Sequence, residues 1–165
     1  MFDDMKANID TRDRGAIEGY LRRLLDKEAY DRAGLIYGMG HAVYSLSDPR
    51  ADILRDCARV LSVEKGLEAE YELYETVAEI APRVIAEKRR MYKGVSANVD
   101  FYSGFVYSML NIPNELYTPL FAIARMAGWC SHRLEELISG GRILRPAYKS
   151  ICKNGKEFLD MENRD

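Results

Sequence analysis

Apolar residues recur at three-and-four spacing along most of the chain, the mark of helices that bury one face. Between residues 13 and 30, Ile17, Tyr20, Leu21, Leu24 and Leu25 share such a face. A glycine-rich break follows, through Gly34, Gly38 and Gly40 to His41. Asp48-Pro49-Arg50 then reads as a helix start, with Asp48 as N-cap and Pro49 at the first helical position. That helix is expected to turn Ile53, Leu54, Cys57, Val60 and Leu61 inward and to stop near Gly66. A longer stretch over residues 67–91 carries Leu67, Tyr71, Tyr74, Val77, Ala78, Ala81 and Ile85 as its stripe, and Pro82 should kink or divide it. Its acidic beginning and basic end (Lys88, Arg89, Arg90, Lys93) complement the helix dipole.

A loop over residues 94–100 leads to an aromatic helix over residues 101–110, ended by Asn111-Ile112-Pro113. A last helix is expected from Thr118 as N-cap and Pro119 to Ile138, ahead of Ser139-Gly140-Gly141. The polar tail beyond Arg142 should fray. No strand-period alternation is sustained and no internal repeat appears. The pattern predicts an all-α fold.

Composition narrows the class. The 165 residues suit one domain or slightly more, and 47% hydrophobic with 30% charged residues is ordinary for a globular chain. With 24 basic and 26 acidic residues the net charge is −2, which argues against a general nucleic-acid binder. No apolar run approaches the roughly 20 residues of a membrane span, and the acidic start MFDDMKANID does not read as a secretory signal. Three widely spaced cysteines (Cys57, Cys130, Cys152) fit free thiols in a reducing cytoplasm. Together with two histidines they form no CxxC or HxxxH pair, so no metal site is expected.

Four polar positions lie at junctions between loops and helices, where backbone N–H groups and side chains converge. His41 follows Gly38-Met39-Gly40 and is either a ligand group aimed out of a turn or a hydrogen-bonded turn residue. Arg50 stands at a helix start suited to a carboxylate or phosphate, or is a solvated surface arginine. Asp100, beside aromatic residues, is a general-base candidate, whereas Asn98 or Asp100 could equally be a helix N-cap. Arg125, in an apolar helix, needs an anion, either a ligand or an internal carboxylate. Trp129 and His132 read as core or interface residues, and the cluster around Lys93 as a solvated helix end or a polyphosphate contact. Taken together, separated arginines with one histidine and one carboxylate suit a small dianionic substrate and proton abstraction next to a carbonyl.

The segments Gly38-Met39-Gly40-His41-Ala42-Val43-Tyr44, Asp48-Pro49-Arg50-Ala51 and Asn98-Val99-Asp100-Phe101-Tyr102-Ser103-Gly104 resemble those of the citrate synthase family. So do Phe121-Ala122-Ile123-Ala124-Arg125-Met126-Ala127-Gly128-Trp129 and Arg145-Pro146, all in order over residues 17–149. The resemblance implies condensation of acetyl-CoA with oxaloacetate to citrate and CoA. It implies that His41 polarises the ketone of oxaloacetate, that Arg50 and Arg125 bind its carboxylates, and that Arg145 reaches the partner subunit's site in a homodimer. Asp100 would remove a methyl proton from acetyl-CoA. Leu35, Ile36, Gly38, Met39 and Gly40 would form the adenine-recognition loop, with Asn98 nearby and Lys93 toward the 3′-phosphate. Acetyl-CoA and CoA are then substrate and product, with no permanent cofactor and no metal.

The resemblance also implies a small domain over residues 1–112, followed over residues 113–165 by helices of the large domain and its dimer contacts. Their apolar residues, Leu116, Leu120, Phe121, Met126, Trp129, Leu134 and Leu137, should either pack back on the small domain or drive self-association. In the family an upstream His-Gly-Gly-Ala-Asn-type motif supplies the donor to the thioester carbonyl, and another upstream histidine contacts oxaloacetate; neither motif occurs in these 165 residues. Losing one oxyanion donor costs roughly 100- to 1000-fold in rate. The chain by itself is therefore expected to be inactive, a CoA-binding or self-associating module, with 2-methylcitrate formation from propionyl-CoA as an alternative activity of the parent enzyme.

Overall fold

The computed structural model describes residues 1–89, 94–140 and 161. Among them are six α-helices, α1 (Phe2–Asn8), α2 (Arg14–Leu25), α3 (Pro49–Lys65), α4 (Glu68–Arg89), α5 (Val99–Met109) and α6 (Tyr117–Ser139), with a 3₁₀ turn at Asn114–Leu116 before α6. No strand occurs among the described residues; one isolated antiparallel bridge joins Met39 to Ala97. The all-α expectation holds.

Local chemistry sets most boundaries. Asp13 caps α2 by accepting from the Gly15 N–H at 2.8 Å. The helix stops at Leu25, short of the expected residue 30, because Lys27 adopts φ 64°. Its N–H bonds to the Leu24 carbonyl, and the Glu28 N–H to that of Arg23, the paired bonds of a Schellman end. Asp48 caps α3 through the Arg50 N–H, and Gly66 ends it at φ 67°, both as expected. Helix α4 runs undivided through Pro82. The last helix begins at Tyr117 rather than at a Thr118 cap, because the 3₁₀ turn feeds directly into it. Helix α1 is an element that periodicity missed: it offers only Phe2 and Met5 as apolar anchors.

Residues Met1–Ala122 form one compact unit and Ile123–Asp165 a second, the division falling within α6. In the first unit α4 packs against α2 and α3, and α5 lies along α3. Leu21, Leu24, Val77, Ala81 and Phe105 lie at the centre of the core. Tyr74 stacks on Phe105 at 4.6 Å and on Phe2 at 3.7 Å, which ties α1 to this core. Across the α2–α4 seam, Glu18 pairs with Arg22 and Arg83, and Arg22 also with Glu87. These pairs are exposed, so register rather than strength is their contribution.

The buried face of α3 differs from the expected one. Ala51, Ala58 and Ser62 are buried, with Leu54 and Leu61 partly so, whereas Ile53 is 65% exposed and Cys57 and Val60 also face outward. Small residues let α3 approach α5 closely, and the bulky Phe101, Tyr102 and Phe105 of α5 supply the volume. In the second unit, the apolar side chains Ile123, Met126, Trp129, Leu134 and Leu137 of α6 are exposed, so Trp129 is not a core residue. No helix of the described residues is long and apolar enough to cross a membrane.

These assignments predict opposite responses on α3. Ala58→Leu should overpack its buried face and cost about 1–3 kcal/mol, whereas Ile53→Ser should stay within about 0.5 kcal/mol of the parent. Leu21→Ala, in the core, should cost about 2–5 kcal/mol. Urea unfolding followed by circular dichroism reads all three, and a large loss for Ile53→Ser would restore the expected face.

Candidate active site

His41 sits in a tight turn that fixes the tautomer of its neutral ring. The Val43 and Tyr44 N–H groups both donate to its Nδ1, at 3.0 and 3.1 Å. A nitrogen that accepts two backbone donors carries no proton, so in the neutral ring the proton is on Nε2. Of the two readings of His41, the geometry shows the hydrogen-bonded turn residue, with Nε2 on the side away from the turn amides.

Arg50 is held beside it from below. The Asp48 side chain is buried and accepts from the Arg50 backbone N–H at 3.0 Å, from Nε at 2.9 Å and from Nη2 at 2.7 Å. These charge-assisted bonds outweigh the desolvation of the carboxylate and hold its pKa down to about 2. The guanidinium also lies 5.8 Å from the centre of the Tyr44 ring. Arg50 Nη2 stands 3.3 Å from His41 Nε2. With Nε2 protonated both atoms are donors, so the approach sets an imidazole N–H beside a guanidinium that also donates to Asp48. An oxygen acceptor, above all an anionic one, is what such a pair suits.

Asp100 enters from α5. The cap of that helix is Asn98, whose Oδ1 accepts from the Asp100 N–H at 3.0 Å, which leaves the Asp100 carboxylate outside the capping role. Asp100 is exposed, and its charge is felt at Arg50, where it favours the protonated guanidinium. It stands between two clefts. One, of about 370 Å³, is lined by Leu54, Asp100, Ser103, Tyr107 and Phe121 among others. The second, of about 450 Å³, is lined by Phe2, Tyr30, Tyr37, Tyr74, Asp100 and Tyr117 among others.

The loop carrying Leu35 to Gly40 is built on the backbone. Ile36 is buried beneath it and Leu35 is exposed. Gly38 (φ 79°) passes so close to α5 that a Cβ there would meet the Phe101 backbone at 2.8 Å. Met39 bridges to Ala97; the Gly40 N–H donates to Ser96 at 2.8 Å and the Asn98 N–H to Gly38 at 2.8 Å. Asn98, expected beside a nucleotide, has its amide engaged inside this junction, with Nδ2 donating to the Gly40 carbonyl at 2.9 Å. Arg125 is exposed on α6 in the second unit. Lys93 and Arg145 lie outside the described residues.

Sequence reading assigned Asp48 only a capping role and passed over Tyr44. The signal for the first was present, since an aspartate two residues before an arginine across a Pro-started turn can both cap and clamp. No group of three metal-ligating side chains occurs among the described residues.

Comparison with known proteins gives a consistent result. The family described as citrate synthase, C-terminal domain, matches residues 1–147. A citrate synthase of Synechocystis sp. is 42% identical over 129 residues, which is 78% of this chain and 31% of that protein. A 2-methylcitrate synthase of Shewanella oneidensis is 30% identical over 164 residues, 99% of this chain and 38% of that one. Among solved structures, a ternary complex of carboxymethyl coenzyme A and oxaloacetate with the citrate synthase of Thermoplasma acidophilum superposes with TM-score 0.59 at 26% identity. It covers 94% of this chain and 43% of that one. The chain thus spans about a third of the length of the curated relatives it matches.

The Asp48 clamp has a pH signature. A carboxyl held below its unfolded value, about 3.9, stabilises the fold above that value and loses the contribution as pH falls through the folded value, about 2. The Tm gap between the parent and Asp48→Asn should therefore be constant from neutral pH to about 4 and close between about 4 and 2. A gap that is unchanged down to pH 2 would contradict the clamp.

Proposed function

The chain belongs to the citrate synthase family, and on that premise we propose that it carries the oxaloacetate-polarising and proton-abstracting side of a citrate synthase active site. The observation that carries this reading is the approach of Arg50 Nη2 to within 3.3 Å of His41 Nε2, which sets a guanidinium beside an imidazole nitrogen. Oxaloacetate offers a ketone oxygen beside a carboxylate, so a neutral imidazole N–H for the first and a guanidinium for the second match its acceptors. Arg125 and, from a partner subunit, Arg145 complete the neutralisation of the dianion.

Asp100 then takes a proton from the thioester methyl of acetyl-CoA. The methyl carbon bonds to the ketone carbon, and the ketone oxygen, stabilised by His41, gains a proton to become the hydroxyl. Hydrolysis of the citryl thioester releases citrate and CoA. The loop of Leu35, Ile36, Gly38, Met39 and Gly40, held through Asn98, receives the adenine, and Lys93 meets the 3′-phosphate. No permanent cofactor or metal enters this chemistry. A thioester methyl is a very weak acid, so a donor to the thioester oxygen must assist Asp100, and none of the groups named here fills that place.

The working enzyme is a cytoplasmic homodimer in which residues 1–112 act as small domain and residues 113–165 contribute dimer contacts through the exposed apolar side of α6. A second reading, condensation of propionyl-CoA to 2-methylcitrate, uses the same residues in the same roles, and the likeness to the Shewanella protein keeps it beside the first.

Oxaloacetate added to the 165-residue chain should shift the His41 ring and Arg50 Nε resonances, and Arg50→Ala should weaken the binding at least about tenfold. Equal affinity in the variant would refute the assignment of Arg50. With acetyl-CoA and oxaloacetate together, thiol release should show no sustained turnover by this chain alone; steady turnover would overturn the need for an outside donor.

A further inference from the structure

We propose that Asn98 is a positioning residue, whose single side-chain amide locks His41 and Asp100 into one register. Its two ends do different work. Oδ1 accepts the Asp100 N–H at 3.0 Å, and Nδ2 donates to the Gly40 carbonyl at 2.9 Å, one residue before His41. The reverse orientation of the amide would set an NH₂ against the Asp100 N–H and an oxygen against the Gly40 carbonyl, so the bonding pattern allows one orientation only. The residue that caps the helix of the base therefore also holds the loop of the polarising histidine.

The chemistry selects asparagine for this position. Capping α5 asks only for a side-chain acceptor, which aspartate, serine or threonine would supply as well. The contact at Gly40 asks for a donor on the same short side chain. Aspartate has no donor when ionised, and a hydroxyl is too short to serve partners on both sides. The loop also needs an external hold. Gly38 and Gly40 sit at φ 79° and 90°, and the segment from Gly38 to Gly40 pairs with 96–98 through only one bridge. The amide adds a side-chain bond to the two backbone bonds from Gly40 N–H and Asn98 N–H, and it acts on the carbonyl that neighbours the His41 turn.

The proposal rests on the reading of His41 and Asp100 as the acting pair, but its test does not use a ligand. Nitrogen-15 spectra of the ligand-free, full 165-residue chain are compared with those of Asn98→Asp and Asn98→Ser, both of which keep a cap for α5. The α5 amides from Phe101 to Phe105 should stay in place. The Gly40 amide should move, and the His41 ring nitrogens, carried by the turn that follows it, should shift with it. Asn98→Ala, which removes both ends, should disturb the first turn of α5 as well. Unchanged Gly40 and His41 signals in the Asp and Ser variants would reduce Asn98 to a plain helix cap and overturn the proposal. Collapse of amide dispersion throughout both variants would overturn it too, since a clip confined to two loops leaves the core of α2 and α4 standing. The oxaloacetate titration of the unaltered chain is read separately, so failure of the functional reading and failure of the clip give different results.

Discussion

Two short loops carry the polar chemistry of this protein, and what holds them is the backbone pairing of Met39 with Ala97. A loop with no helix or sheet of its own is ordinarily mobile. Here one loop is pinned across its width to the lead-in of α5, and Gly38 is pressed so close to Phe101 that no side chain would fit. The pairing joins parts of the chain 58 residues apart. The packing of α3, α4 and α5 is the scaffold that brings the two loops within hydrogen-bond range.

Around this junction the electrostatics follow one rule: cations and donors are oriented by groups that are themselves buried or backbone-held. Asp48 spends its burial on holding Arg50, and the Val43 and Tyr44 amides choose the tautomer of His41. Neither arrangement changes the net charge presented outward by much, but both remove the freedom that a long guanidinium or a rotating imidazole would otherwise have. Such preorganisation is what an anion-binding, carbonyl-polarising site needs.

Much of the architecture was legible in the residues, and the reasons differ by element. The start of α3 carries its own signal in the Asp48 cap, whereas α5 begins at Val99, two residues ahead of the expected 101, because Asn98 rather than Asp100 is its cap. The inward face of α3 was misread because apolar bulk was equated with burial; the structure buries Ala51, Ala58 and Ser62 because α5 supplies the aromatic volume. Helix α1 was invisible since its anchors, Phe2 and Met5, acquire meaning only against Tyr74 and the core. At the site, His41, Arg50 and Asp100 stood out by residue type and motif. The clamp from Asp48, the tautomer and the double use of Asn98 did not, because each is a matter of direction.

The central claim is that the His41 loop is a fixed part of the fold rather than a flexible connection. Native-state hydrogen exchange at the Gly40 and Asn98 backbone amides tests it most directly, because both backbone N–H groups donate across the junction. The account predicts that both are protected nearly as strongly as the core amides of α4, and that they open together with them. Exchange at the rate of an open loop, while α4 stays protected, would contradict it.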